Sequence, residues 1–288
     1  MITWSMILSV GVVIIAAYWG VGTILYLMQP KFMYNPVRQM PYSPEELGLN
    51  YEDVWFRTKD GVRLNGWYIP AENADFTALF CHGNGGNIMH RLDTINLLYN
   101  MGVNCFIFDY RGYGKSTGKP SEQGTYLDAQ AAYRWLRSEK KTPRRNVIIF
   151  GRSIGGSIAA YVAGRFKVAG LIVESAFTSY VDIGKKFYPY MPVKYFARFS
   201  YNTVDCIEKV KCPVLIIHSR NDKLVPFEFA LELYEAANEP KKFVEISGSH
   251  NDGFLASGET YKNAWLNWLN SIKTKPDRKS QFNLKSPG

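Results

Sequence analysis

The chain has 288 residues, of which 47% are hydrophobic, 15% aromatic and 20% charged, enough apolar surface to offset ordering entropy and to exclude a disordered chain. Its 24 glycines and 14 prolines follow no period and its four cysteines are too few for a disulfide scaffold, so collagen-like, low-complexity and small disulfide-stapled classes fall away. The formal net charge is +9, yet no nucleic-acid motif accompanies it, and basic side chains beside a membrane segment suit anionic headgroups better.

From Met1 to Pro30 there is no charged side chain. The run Trp4–Met28, as a helix, would reach roughly 37 Å, more than the ~30 Å hydrocarbon core of a bilayer. Trp4, Trp19 and Tyr26 include residues placed where interfacial aromatics would sit. A cleaved signal peptide fits less well, because no basic n-region precedes the run and the apolar stretch exceeds an h-region. Residues 1–30 are therefore expected to form a single-pass transmembrane anchor in the lipid bilayer. Lys31 and Arg38 follow it, and the positive-inside rule places the domain after them on the cytoplasmic side.

Residues 31–50 are Pro-rich and polar and read as a linker. Glu52–Thr58 and Val62–Pro70 are two alternating runs joined by Lys59-Asp60-Gly61, a hairpin signal. Short apolar runs then alternate with helical stretches. Thr77–Cys81, Cys105–Phe108, Val147–Phe150, Gly170–Val173, Val214–His218 and Lys242–Ile246 read as strands. Ile88–Tyr99, Glu122–Ser138, Gly155–Phe166, Phe227–Ala237 and Glu259–Ile272 read as helices. This alternation predicts an α/β domain over residues 51–272, a mostly parallel sheet with helices on both faces and an antiparallel start. Residues 176–211 interrupt the rhythm with aromatics such as Phe177, Phe187, Tyr188, Tyr190 and Tyr195, interleaved with Lys185, Lys186, Lys194 and Arg198. They predict a short lid over the carboxyl edge of the sheet, where open α/β sheets bind ligands. Residues 273–288 form a basic tail. Cys81 and Cys105 suit buried thiols, whereas Cys206 and Cys212 leave a pairing open.

Gly151-Arg152-Ser153-Ile154-Gly155 matches G-x-S-x-G between a strand run and a helical stretch, the setting in which a strained turn exposes a serine hydroxyl. Gly114-Lys115-Ser116-Thr117-Gly118 matches too, but it leads into no helix and reads as a loop former. A P-loop reading of the same stretch fails because Asp109 stands where the first glycine is required. No G-x-G-x-x-G or H-x-x-x-H occurs, so neither a nucleotide cofactor nor a metal is expected.

Serine needs a base to become a nucleophile at neutral pH. Of His82, His90, His218 and His250, only the last two follow Ser153. Only His250 has a suitable acid ahead of it on a loop after a strand run, Asp222, which satisfies the order Ser, acid, His. Asp252 is the competing acid, but it lies very near His250 in the chain. An oxyanion hole would take one donor from the Ile154 N–H and the other from the Gly-rich turn after His82, assigned to the Asn84 N–H.

With these motifs the chain resembles the α/β-hydrolase superfamily over about Tyr51 to Ile272. The resemblance is carried by His82-Gly83-Asn84-Gly85-Gly86-Asn87, Asp109-Tyr110-Arg111-Gly112-Tyr113-Gly114-Lys115-Ser116, the Ser153 turn, Asn221-Asp222-Lys223-Leu224-Val225-Pro226 and Gly248-Ser249-His250. Within it the sequence looks like membrane-anchored hydrolases of the bud-emergence and protein-depalmitoylating kind, and like the serine aminopeptidase-like domain. The resemblance implies Ser153 as nucleophile, Asp222 as acid, His250 as base and Asn84 at the oxyanion turn. The expected activity is hydrolysis of an ester or thioester on an acyl lipid or acyl protein, without a cofactor. An amidase or aminopeptidase with the same three residues, and a catalytically silent membrane scaffold, are the alternatives.

Overall fold

The computed structural model describes residues 3–273; apart from Lys273, the expected basic tail lies outside the described residues. The first element, α1, runs from Trp4 to Met33. Thr3 caps it, and Pro30 falls inside its last turn. It therefore continues three residues past the stretch 1–30. Almost no protein covers it: among its residues only Gly22 and Met33 are buried.

Strands β1 (Glu52–Arg57) and β2 (Arg63–Ile69) form the expected hairpin, with Arg57 opposite Arg63. Gly61 sits at φ 83° in the connecting turn, a conformation that a side chain resists. Then follow β3 (Phe76–Cys81), α2 (Leu92–Asn100), β4 (Val103–Phe108), α3 (Glu122–Ser138), β5 (Val147–Arg152), α4 (Ile154–Ala163) and β6 (Gly170–Glu174). After residues 176–211 come β7 (Val214–Ser219), α8 (Phe227–Ala236), β8 (Lys241–Ile246), the short α9 (Gly253–Ala256) and α10 (Gly258–Ile272). Residues 176–211 themselves hold α5 (Tyr180–Phe187), α6 (Val193–Phe196) and α7 (Thr203–Ile207).

The eight strands form one sheet in the order β8-β7-β6-β5-β3-β4-β2-β1. β1, β2 and β4 pair antiparallel in succession, and all other neighbours are parallel. Every residue of β3, β5, β6 and β7 is buried, which is why these runs are continuously apolar rather than alternating. One face packs against α3, α4, α7 and α8, the other against α2, α9 and α10. The architecture is thus the mostly parallel, two-sided α/β sheet that the alternation of runs predicts, with the antiparallel start.

The segment after α1 is less of a free linker than its composition suggests. Asn35–Pro36 pairs in parallel with Gly85–Gly86, Val37 N–H donates to the Gly86 carbonyl at 3.0 Å, and Asn87 Nδ2 donates to the carbonyls of Val37 and Gln39. Met33 and Tyr34 are buried in the core, and the Tyr34 hydroxyl meets that of Tyr201 at 2.7 Å. This stitching uses backbone groups, so Pro-rich composition conceals it. All four cysteines are free, Cys206 and Cys212 included.

Candidate active site

The site is built at the carboxyl edge of the sheet, where chain progression turns around β3 and β5. Ser153 follows β5 directly at φ 58°, ψ −127°, a sparsely populated conformation for a residue with a side chain and one that stores of order 1–3 kcal/mol. The surrounding glycines explain why the turn forms here. A Cβ on Gly155 would meet the Cys81 carbonyl oxygen at 2.0 Å, and one on Gly151 would meet the Gly155 carbonyl oxygen at 2.1 Å. The turn is also tied to the neighbouring strand, since Ser153 N–H donates to the Glu174 carbonyl at 2.9 Å.

His250 lies on the loop between β8 and α9. Its Nε2 is 3.0 Å from Ser153 Oγ and its Nδ1 is 2.7 Å from Asp222 Oδ2. An ionised carboxylate only accepts, so Nδ1 carries the ring proton and Nε2 is left to accept from the serine hydroxyl. Asp222, on the loop after β7, receives the N–H groups of Leu224 and Val225 on Oδ1, each at 2.8 Å. Burial alone would push this carboxyl up. The hydrogen bond and charge of His250, the Val225 amide and His218 outweigh it and hold the carboxyl below its ordinary range. His218 stands behind it, with Nε2 3.6 Å from Asp222 Oδ2 and 3.0 Å from the Val225 carbonyl. Asp252 is engaged elsewhere, accepting from the Ser249 amide and hydroxyl. The structure thus brings Ser153, Asp222 and His250 into one chain of contacts.

Ile154 opens α4, where an N–H has no intrahelical acceptor. Asn84 follows β3, and its backbone carbonyl accepts from the Tyr113 hydroxyl at 2.8 Å and the Asn35 amide at 3.3 Å. Its side chain donates to the Met33 carbonyl at 3.2 Å. Both residues line one cavity with Ser153. That cavity measures about 280 Å³, and apolar side chains make up most of its wall. They include Phe177, Ile183, Phe187 and Met191 from the segment 176–211, Leu224 and Val225 beside Asp222, and Leu25, Phe32 and Met33 of α1. Ser116, the second G-x-S-x-G serine, is fully buried and donates to the Asp109 carbonyl at 2.7 Å, a structural role in its loop.

Three features of the site escaped sequence reasoning. The first is the wall contributed by α1. The second is a buried ion pair under the serine turn: Arg152 Nε donates to Glu174 Oε1 at 2.7 Å, and Tyr261 Oη donates to Glu174 Oε2 at 2.6 Å. No spacing rule links residues 22 and 87 positions apart. The third is the polar packing beneath the turn that holds Asn84. Asp109 Oδ1 accepts the Ile88 amide at 3.1 Å, and His82 Nε2 lies 3.8 Å from the same oxygen. Burial pushes the Asp109 carboxyl up to about 8 and the His82 imidazole down to about 3, so burial favours the neutral form of both groups.

Asp109 therefore links stability to pH. Between roughly pH 4 and pH 8 the folded form keeps a proton that the unfolded form has released, so raising pH favours unfolding over that window, and the effect levels off above about 8. Asp109→Asn keeps the oxygen that Ile88 uses and removes the proton. Thermal melts of the variant and the parent, run from pH 5 to pH 9, should diverge by several degrees in favour of the variant as pH rises. Parallel curves would contradict the linkage.

Comparison with known proteins agrees with the fold. Residues 79–195 match the family described as alpha/beta hydrolase fold. The alpha/beta hydrolase domain-containing protein WAV2 of Arabidopsis thaliana is 34% identical over 300 residues, covering 92% of this chain and 97% of that protein. The chain belongs to the α/β-hydrolase family. Within it, the relatives are of the bud-emergence type: protein bem46 of Schizosaccharomyces pombe is 32% identical over 243 residues, 81% of either chain. Among solved structures, the esterase Pf2001 of Pyrococcus furiosus superposes with a TM-score of 0.70 at 27% identity, covering 83% of this hydrolase and 98% of that chain. The mostly parallel sheet described above is the α/β-hydrolase fold, and an N-terminal apolar helix, Trp4–Met33, precedes it in this chain.

Proposed function

We propose that this hydrolase is a membrane-anchored serine esterase or thioesterase acting on acyl groups, with Ser153 as nucleophile, His250 as general base and acid, and Asp222 as the group that orients the ring. The observation that carries the reading is His250 bridging Ser153 Oγ and Asp222 Oδ2 at 3.0 and 2.7 Å. Ser153 Oγ attacks the substrate carbonyl carbon while Nε2 takes the hydroxyl proton. The C=O π electrons move to oxygen, where the amides of Ile154 and Asn84 stabilise the charge; one such donor is worth about 3–4 kcal/mol in the transition state. The carbonyl re-forms as the C–O or C–S bond to the leaving group breaks, and Nε2–H protonates the departing alcohol or thiol. Water, deprotonated by Nε2, then attacks the acyl-serine, and the acid leaves as Ser153 recovers its proton. Asp222 stays ionised throughout and supports the imidazolium.

The apolar cavity next to Ser153 supports an acyl chain as the substrate's body. The length and composition of α1, with a mean hydropathy of 2.1 over its best window, support a bilayer anchor, and Lys31 and Arg38 behind it support a cytoplasmic-facing domain. A fluorophosphonate probe tests the central assignment. The full-length protein should be labelled on Ser153, and Ser153→Ala should abolish labelling without lowering Tm. Labelling that survives the substitution would mean that another serine is the nucleophile.

A further inference from the structure

The lid does not hang over the domain alone; it is fastened to the anchor helix. Gln29 Nε2 donates to the Phe196 carbonyl at 2.5 Å, and Gln29 Oε1 accepts the Arg198 amide at 2.8 Å. Higher up the helix, the Trp19 and Phe196 rings lie 5.1 Å apart, and the Tyr18 hydroxyl donates to the Tyr190 carbonyl at 3.4 Å. Gly22 allows this approach, because a Cβ there would meet the Phe196 ring at 2.3 Å.

Helix arithmetic then fixes how deep the lid sits if α1 spans the bilayer. Thirty residues give roughly 45 Å of helix, against a hydrocarbon core of ~30 Å. Even with Trp4 placed at the far boundary, the near boundary falls at about residue 24. Moving the helix inward, or tilting it, only shifts that boundary towards Lys31. Trp19 and Gly22, and with them the Phe196 ring, therefore lie inside the apolar layer.

The lid surface is made for this. Tyr190 is 95% exposed and Tyr195 77% exposed, beside half-exposed Phe187 and Tyr188. Lys185, Lys186, Lys194 and Arg198 are exposed around them. Exposed aromatics ringed by cations match the interfacial zone of an anionic leaflet. The cavity wall agrees as well: Leu25, Gln29, Phe32 and Met33, at helical spacing on one face of α1, line it together with residues of α5.

Resting on the anchored-hydrolase reading, we propose that the Tyr188–Tyr195 turn of the lid is inserted in the bilayer leaflet nearest the α/β domain. A long acyl chain of a bilayer-resident lipid ester passes sideways from that leaflet, along the Leu25–Phe32 face, to Ser153. Substrate is taken from the membrane and not from the aqueous phase.

The test uses the full chain in phosphatidylcholine and phosphatidylglycerol vesicles. Benzoylphenylalanine replacing Tyr190 should photo-crosslink to phospholipid, and the same group replacing Lys141, beyond α3 at the opposite sheet edge, should not. Tyr190→Glu combined with Tyr195→Glu, neither of which lines the cavity, should slow hydrolysis of vesicle-embedded 4-methylumbelliferyl palmitate at least tenfold. Hydrolysis of soluble 4-methylumbelliferyl acetate and fluorophosphonate labelling should stay within twofold. No lipid adduct at residue 190, or unimpaired palmitate turnover by the double variant, overturns the inference. Wild-type protein extracted by alkaline carbonate overturns the anchor and the inference together. A lipid adduct at residue 190 in wild-type-like protein that the probe fails to label overturns the hydrolase reading and leaves the lid in the leaflet. If the double variant also loses the acetate activity, the crosslink decides.

Discussion

Asp222→Asn is expected to lower kcat/KM for a short soluble ester by about 10⁴-fold while leaving the fold intact. Asparagine keeps an oxygen for the Leu224 and Val225 amides. It no longer requires Nδ1 to carry the ring proton, so Nε2 can hold it instead and cannot accept from Ser153 Oγ. The negative charge that supports the imidazolium is lost at the same time. His250→Ala should cost at least as much, because the base itself is gone. The informative result is the double variant. If Asp222 acts only through His250, adding Asp222→Asn to His250→Ala should cause almost no further loss, since groups that work as a unit are strongly non-additive. Steady-state hydrolysis of p-nitrophenyl butyrate by the four proteins measures this. Losses that multiply would mean that Asp222 acts independently, and the assignment of its role would fall.

Glu174→Ala is expected to be the most destabilising single change near the site. It leaves the Arg152 guanidinium buried among the Thr94 hydroxyl at 3.1 Å and the rings of Phe254, Phe80 and Phe150, with no carboxylate opposite it. Breaking one side of a buried pair costs about 3–5 kcal/mol, because the other charge stays uncompensated. At about 2–4 °C per kcal/mol for a domain of this size, the melting temperature in detergent should fall by roughly 6–20 °C. Replacing both partners, Arg152→Met with Glu174→Leu, should recover most of the loss, since no buried charge is then left unpaired. A double variant as unstable as Glu174→Ala would show that packing and not charge governs the site. The pair matters for the chemistry because Arg152 immediately precedes Ser153 and Glu174 O accepts the Ser153 amide. Two successive residues at the strained turn therefore lean on Glu174.

The two variants probe different levels of the same construction. Asp222 and His250 sit on loops, so their substitution is expected to lower activity at little structural cost. Arg152 and Glu174 end adjacent strands, β5 and β6, with Arg152 opposite Glu174 in register, so their loss loosens the platform that holds the serine. Asp109 belongs to the second kind. It lies under the turn that carries Asn84, where burial favours its protonated form.

Much of this protein is written in local patterns. Buried parallel strands must be apolar on both faces, so continuous runs such as Val147–Phe150 announce them, and the helical stretches between them impose the crossover topology. The serine turn is equally legible, because the positive φ of Ser153 and the close packing of Gly151 and Gly155 demand small residues at fixed offsets. Chain order then singles out Asp222 and His250, since a single sheet edge gathers whatever follows successive strands. What depends on contacts between distant segments leaves no such trace. The Arg152–Glu174–Tyr261 network joins strands and a helix through side chains with no common spacing. The pairing of Asn35–Pro36 with Gly85–Gly86 uses backbone groups that every residue possesses. The part of α1 that walls the cavity is indistinguishable by composition from the part that meets no protein, because an apolar helix face reads alike against lipid and against a lid. Only the tertiary structure, by laying Phe196 into the space left open at Gly22, decides which turns of that helix belong to the site.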